Sequence, residues 1–116
     1  MSRQVTIFQV DAFTQTLFAG NPAGVVLGAE VLTDAEMQAI ARELNNTDTA
    51  FVLPGDGSDH DLRIRFFNPH NETGFVGHAT VAAHIARLAA GQGTAGMVRQ
   101  KSTTGLYEVE VTGGET

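Results

Sequence analysis

Short runs of alternating or apolar residues occur along most of the chain, and these runs predict strands. They are rich in β-branched and aromatic residues, which favour the extended conformation. Residues 62–67 and 106–111 alternate between apolar and polar side chains, as expected for strands with one buried face. We predict about seven strands, at residues 4–12, 23–27, 50–53, 62–67, 75–76, 97–102 and 106–111. The last two form a hairpin across residues 103–105.

Residues 33–45 are predicted to form an amphipathic surface helix. Thr33 and Glu36 have the spacing of a capping box, in which each side chain bonds the backbone N–H of the other residue. Apolar residues then recur at helical spacing, at Met37, Ile40, Ala41 and Leu44. Asparagine tolerates the left-handed conformation at a helix end, so Asn45 and Asn46 end the helix.

Residues 77–90 are predicted to form a second helix, one with almost no polar face. A soluble helix that is apolar all round is normally buried on every side. With 14 residues and a rise of about 1.5 Å each, it is too short to span a bilayer. The two patterns together indicate an α+β fold in which a strongly curved mixed sheet, or barrel, wraps a central helix.

Composition and charge narrow the class of protein. The 116 residues have 42% apolar content and suit one globular domain. The net charge of −6 makes nucleic acid an unlikely partner. The chain has no cysteine, which excludes disulfides and cysteine catalysis. Since there is neither a signal peptide nor a membrane-spanning segment in the sequence, we expect a cytoplasmic location without membrane contact.

The start of the second helix is a candidate ligand site. The first turn of a helix has unpaired N–H groups and a partial positive charge, which suit a carboxylate or phosphate. Gly77, His78 and Thr80 lie in this turn. In the alternative interpretation, Gly77 only lets the backbone turn, while His78 and Thr80 cap the helix.

Asp48 is the candidate acid. It lies between a helix end and an apolar strand, where partial loss of water would raise the pKa of its carboxyl group. A carboxyl group in that state can both donate and accept a proton. Alternatively, Asp48 is a turn residue that bonds its own backbone, as many aspartates do.

The four histidines, at positions 60, 70, 78 and 84, raise the alternative of a metal site. None has the spacing of an HExxH motif, and zinc ligands are normally close-set. His84 lies inside the predicted helix, where we expect a core or edge histidine with a hydrogen-bond partner. We expect neither a metal nor a cofactor.

Several short stretches, taken together, resemble the phenazine-biosynthesis PhzF-like family, which has the diaminopimelate epimerase-like fold. Each stretch is weak alone, and their order and spacing make the match specific. They run through nearly the whole chain, at residues 10–13 (VDAF), 20–23 (GNPA), 41–45 (ARELN), 49–52 (TAFV), 65–67 (RFF), 72 (E) and 77–80 (GHAT).

This resemblance implies both a fold and an activity. The family fold is two similar lobes, each a strand barrel around a central helix, with the active site between them. The implied activity is cofactor-independent proton transfer at carbon, by an isomerase or epimerase acting on a small carboxylate-bearing substrate in biosynthesis. The named family enzyme isomerises a dihydro-hydroxyanthranilate. Diaminopimelate epimerase and proline racemase resemble it in fold but use two cysteines, so this chain resembles the carboxylate branch.

The resemblance also assigns roles to residues. Asp48 matches the family's general acid/base, which is a glutamate, and His78 matches the active-site histidine. The implied substrate-binding residues are Asn21, Gly77, Ala79 and Thr80. Aspartate in place of glutamate retracts the carboxyl group by about 1 Å, and a misplacement of that size can cost about a hundredfold in rate.

Length is the larger departure from the family. Family members are more than twice as long, and their second lobe brings another helix start and another carboxylate. Residues 1–116 are therefore predicted to be a single lobe, half of the usual protein. We expect its site to be completed by a two-fold homodimer or by a complementary second-lobe chain. The alternative is a non-catalytic binding module or a truncated pseudoenzyme.

Overall fold

The computed structural model describes residues 5–11, 22–45, 48–92 and 96–111. Strands and helices are mixed along these residues, which confirms the predicted α+β class. The strands are β1 (Thr6–Asp11), β2 (Pro22–Leu27), β3 (Thr49–Pro54), β4 (Leu62–Phe67), β5 (Glu72–Thr73), β6 (Gly96–Ser102) and β7 (Gly105–Val111). The helices are α1 (Asp34–Leu44) and α2 (Gly77–Ala89), with a 3₁₀ helix at Ala29–Val31.

The described strands form one mixed sheet in the order β1-β2-β3-β4-β6-β7, with β5 paired to β4. The β2–β3 and β4–β6 pairs are parallel, and the other pairs are antiparallel. Parallel neighbours need a crossover connection. Helix α1 lies in the first crossover and α2 in the second.

The two helices cover opposite faces of the sheet, because successive side chains along a strand point to opposite faces. On one face, Val26 and Phe51 lie in a buried cluster with Met37 of α1. On the other face, Val25 and Ala50 lie in a second buried cluster that includes four alanines of α2. Strands β2 and β3 are thus buried on both sides, which explains their continuous apolar sequences.

Local features of the first helix and of the hairpin are confirmed. Glu36 N donates to Thr33 Oγ1 at 3.1 Å, and Thr33 N donates to Glu36 Oε1 at 2.9 Å, so the capping box is present. Asn45 ends α1 with a φ of 55°, in the left-handed region. The predicted hairpin closes where Ser102 pairs with Gly105. Within the described ranges, neither helix is long and apolar enough to cross a membrane.

Three predictions are wrong. Strands β1 and β7 end the strand order without pairing in the described part of the chain, so the sheet does not close into a barrel. For that reason α2 is not buried on every side: Val81 is 47% exposed and Ile85 43%. The strand predicted at residues 75–76 lies instead at Glu72–Thr73, since Val76 is the N-cap of α2.

Candidate active site

The first turn of α2 presents backbone donors at one end of the sheet. Gly77, His78 and Ala79 are its first three residues, and Thr80 N is the first N–H to bond back, to Val76 O at 2.9 Å. The three N–H groups before it have no partner within the helix by position. The hydrogen bonds of the described residues supply none from elsewhere.

Asp48 is held beside this turn by the sheet. It immediately precedes β3, and its carbonyl oxygen accepts a hydrogen bond from Gly24 N of β2 at 3.1 Å. Asp48 is only 9% exposed. Burial raises the pKa of the Asp48 carboxyl above its usual range, and the nearby His78 acts in the opposite direction. The carboxyl therefore retains a proton more readily than an exposed aspartate does.

Asp48 and His78 come together as a pair. The distance from Asp48 Oδ2 to His78 Nε2 is 3.4 Å, which is within ion-pair range. The two atoms do not meet hydrogen-bond geometry, and His78 Nε2 is buried without a hydrogen-bond partner among the described residues. Catalytic hydrogen bonds are often long before substrate binds and shorten afterwards. The His78 side chain is 39% exposed and that of Asp48 is 12% exposed, although the Nε2 atom that faces Asp48 is itself buried.

Gly77 leaves free space at the mouth of this site. A Cβ added there would meet no atom within 4 Å, and Gly77 does not have a positive φ. Neither packing nor backbone conformation therefore requires glycine at this position. The absence of a side chain keeps the backbone of the first turn open to an approaching group.

The other predicted substrate-binding residues differ in what they can offer. Thr80 is 4% exposed, and its N–H and hydroxyl both donate to Val76 O at 2.9 Å. Its donors are therefore used inside the turn. The Ala79 side chain is fully buried, so only its backbone can face a ligand. Asn21 lies outside the described residues.

An ion-pair cluster that our sequence reasoning missed fixes the segment before α2. Arg65 donates to both oxygens of Glu72, at 2.9 and 2.8 Å, and to Asp34 Oδ1 at 2.7 Å. Thr103 Oγ1 donates to Glu72 Oε2 at 3.0 Å. Arg65 of β4 and Thr103 of the β6–β7 turn thus hold Glu72, while Asp34 of α1 holds Arg65. The alternation of apolar and polar residues in β4 could have indicated this cluster, because it places Arg65 on the face of the sheet opposite α2.

The remaining histidines do not join this site. His84 is buried and hydrogen-bonded, as predicted for a core histidine. His60 is buried beyond the far end of β3, with its ring nitrogens 2.7 Å from Asp56 Oδ1 and 2.6 Å from Asp59 Oδ1. In the part of the chain that the structure describes, no three histidine or acidic side chains form a group that could bind a metal.

A cavity of about 270 Å³ lies at the opposite end of α2, and its lining includes Leu53, Asp61 and Arg87. Neither Asp48 nor His78 belongs to this lining. We place the candidate active site at the start of α2 instead. There a buried carboxyl group and an imidazole meet backbone donors that have no partner in the part of the chain that the structure describes, whereas the cavity lacks this combination.

The family and two relatives were identified by comparison. The family model described as phenazine biosynthesis-like protein matches residues 10–116. An uncharacterised isomerase of Clostridium acetobutylicum is 45% identical over 111 residues, which is 96% of this chain and 37% of that protein. The uncharacterised isomerase YddE of Salmonella typhimurium is 51% identical over 108 residues, which is 90% of this chain and 35% of that protein.

A solved structure gives the same result. The crystal structure of the Bacillus anthracis phenazine biosynthesis protein of the PhzF family matches with a TM-score of 0.82 and 33% identity. The match covers 97% of this chain and 38% of that one. The chain therefore spans little more than a third of the length of these relatives. On the extent and identity of these matches, the chain belongs to the phenazine biosynthesis-like (PhzC-PhzF) protein family.

Proposed function

We propose that this chain is an isomerase-type lobe that transfers a proton at a carbon atom of a small carboxylate-bearing substrate, without a cofactor. Asp48 removes and returns the proton. His78 orients the substrate or takes part in its protonation. The proposal rests on one observation above all, the 3.4 Å approach of a buried carboxyl oxygen to an imidazole nitrogen that has no other partner among the described residues.

The state of Asp48 suits this role. A general acid/base works best when its pKa lies near the operating pH, and burial moves the pKa of Asp48 upward in that direction. A carboxyl group so placed contributes about 10²- to 10⁴-fold to proton transfer. Asp48 and His78 can then exchange roles as donor and acceptor of the proton.

The start of α2 supplies the substrate-binding part. The N–H groups of Gly77, His78 and Ala79 have no partner among the described residues. They add to the positive end of the helix dipole, which favours a carboxylate. The open space beside Gly77 gives such a carboxylate access to the backbone. Asn21 is proposed to border the same pocket.

A second lobe is proposed to complete the site, either as a second copy in a homodimer or as a complementary chain in the cytoplasm. Support comes from the relatives, of whose length this chain spans little more than a third. Light scattering on a sizing column tests the dimer. A mass near twice 12.3 kDa supports it, and a mass near 12.3 kDa contradicts it.

Solvent deuterium incorporation tests the proposed reaction. The chain is incubated in D₂O with small carboxylates, including dihydro-hydroxyanthranilate, and exchange at carbon is followed by ¹H NMR. We expect incorporation with the wild type and a loss of about 100-fold or more in Asp48→Asn. The matched control is Asp59→Asn, since Asp59 also contacts a histidine but is exposed and lies beyond the other end of β3. Undiminished exchange in Asp48→Asn would rule out the assignment.

The second candidate function is a non-catalytic carboxylate-binding module. The described residues bring together one acid/base pair, Asp48 and His78, and this single pair favours it. Such a module would bind the same carboxylates, and the amide resonances of residues 77–79 would shift. No deuterium would enter the ligand.

A further inference from the structure

Buried polar side chains line one side of α2 in an otherwise apolar core. Gln100 of β6 is 0% exposed, and His84 and Thr80 of α2 are 5% and 4% exposed. They border the cluster that contains Ile64, Phe66 and the alanines of α2. Burying polar groups among apolar ones is costly unless they bond each other. Here they do, and we call the connected residues Arg87, His84, Gln100 and Thr80 the polar chain.

Arginine sets the direction of every bond in the polar chain, because its guanidinium has donors only. Arg87 Nη1 lies 3.3 Å from His84 Nδ1, so that nitrogen must accept. His84 Nε2 then carries the proton and donates it to Gln100 Oε1 at 3.0 Å. Because Nδ1 accepts from Arg87, the ring is neutral in this tautomer. Burial lowers the pKa of His84, the hydrogen bond to Gln100 opposes this effect, the charge of Arg87 adds to it, and the net direction is downward.

The polar chain continues from Gln100 to the first turn of α2. Gln100 Nε2 has two N–H bonds, and its acceptors are Thr80 Oγ1 at 3.4 Å and Ser102 Oγ at 3.5 Å. The Thr80 hydroxyl, having accepted from Gln100, donates to Val76 O at 2.9 Å. All donors therefore point the same way, from the last turn of α2 to its N-cap. Hydrogen bonds aligned in this manner polarise and strengthen one another.

Thr80 ends the polar chain at the point where the candidate site begins. Its N–H and hydroxyl close the first turn on a single carbonyl oxygen, that of Val76. The residues between these two are Gly77, His78 and Ala79, which carry the imidazole and the three N–H groups without a partner among the described residues. Any rotation of this turn would change the distance from His78 to Asp48.

We infer that Thr80 is a positioning residue, held by Gln100 and His84, which fixes the first turn of α2 so that His78 faces Asp48. This inference rests on the proposed function and gives Thr80 a role different from substrate contact. Ser102 is a side branch: it accepts from Gln100 but touches nothing in the first turn that the structure describes. The two hydroxyl groups therefore allow a matched test.

Three variants of the full chain separate positioning from general loosening of the core. Thr80→Val removes the hydroxyl with little change in shape, Thr80→Ser keeps a hydroxyl, and Ser102→Ala removes only the side branch. The first readout is NMR, which measures the titration curve of His78 and the amide shifts of residues 77–79. We expect both to change in Thr80→Val and to match the wild type in Thr80→Ser and Ser102→Ala.

The second readout is the exchange reaction, if the wild type performs it. We expect kcat to fall about tenfold or more in Thr80→Val, with KM within about twofold of the wild-type value and recovery in Thr80→Ser. If the wild type exchanges no carboxylate, the proposed function fails, and the NMR readout still decides the positioning role. Equal changes in Thr80→Val and Ser102→Ala, or no change in either, would overturn the inference.

A measurement on the wild type tests the inference even if the Thr80 variants do not fold. Long-range ¹H–¹⁵N spectra report which imidazole nitrogen carries the proton. The polar chain requires His84 with a protonated Nε2 and a bare Nδ1. Detection of the opposite tautomer would also overturn the inference, because the bonds could not then run from Arg87 to Thr80.

Discussion

The two faces of the sheet hold their helices by different means. On the α1 face, the buried cluster is apolar and includes Phe51, whose ring meets Phe67 edge to face at 5.1 Å. On the α2 face, an apolar cluster is accompanied by the polar chain. Apolar contacts are non-directional, whereas hydrogen bonds demand particular distances and angles. Helix α1 also has hydrogen bonds, from Arg65 to Asp34 and from Gln38 to Asn68 O, but these are exposed or only partly buried. The helix that carries the candidate site is the one whose hydrogen bonds lie within the core.

This difference indicates that the two faces of the sheet have different roles. The α1 face contributes stability through apolar contacts, which are not directional. The α2 face adds hydrogen bonds, which fix the position of a helix end through their distances and angles. Substitutions on the two faces should therefore have separable effects on stability and on the site.

The largest stability effect is expected from Phe51→Ala on the α1 face. Phe51 is fully buried, and truncation of a buried phenylalanine costs about 3–5 kcal/mol in the free energy of unfolding. Denaturant titration measures this loss. At temperatures where the variant is folded, we expect the titration curve of His78 to stay unchanged. A shifted curve would mean that the two faces are not separable.

Asp48→Asn should separate stability from function on the α2 face. The pKa of Asp48 is raised in the folded state. Above pH 3.8, the ordinary value, the unfolded state loses the proton that the folded state still holds. The stability from Asp48 is thus complete below that pH and is lost as pH rises through the raised pKa. Asparagine cannot ionise. The melting temperature of the variant should therefore rise relative to that of the wild type as the pH increases from 3.8 through the raised pKa of Asp48. A constant difference at all pH values would contradict the raised pKa.

Thr49→Val tests a polar group without a partner on the α1 face. Thr49 is fully buried, alternates along β3 with Phe51, and its Oγ1 has no hydrogen-bond partner among the described residues. An unsatisfied buried hydroxyl costs about 1–3 kcal/mol. We therefore expect Thr49→Val to raise the free energy of unfolding, in contrast to Thr80→Val. A lower value in both variants would show that both hydroxyl groups are satisfied.

The smallest stability effect is expected from Gly77→Ala at the start of α2. A helical alanine is favoured over glycine by about 0.5–1 kcal/mol, and nothing blocks the added methyl group. The same methyl group enters the space proposed for the substrate carboxylate. We expect an equal or higher melting temperature together with weaker carboxylate binding in NMR titrations. Unchanged binding would show that the carboxylate does not bind beside Gly77.

Elements that depend on near neighbours in the chain could be predicted from the sequence. The capping box of Thr33 and Glu36 joins residues three positions apart, and the left-handed Asn45 ends α1 by its own conformational preference. The alternation in residues 106–111 places one face of β7 towards the core, and the turn at Thr103 and Thr104 closes the hairpin. The approximate bounds of both helices follow from the same short-range rules.

Features that depend on distant partners could not be predicted from local patterns. Residues 77–90 are apolar almost all round, yet Val81 is 47% exposed, because burial depends on which strands pack against the helix. Gln100 has the residue type of an exposed position, yet β6 turns it inward, and its bonds come from α2. The approach of Asp48 to His78 joins positions thirty residues apart. Such distances are set by how β3 and α2 pack in three dimensions, which no local pattern along the chain encodes.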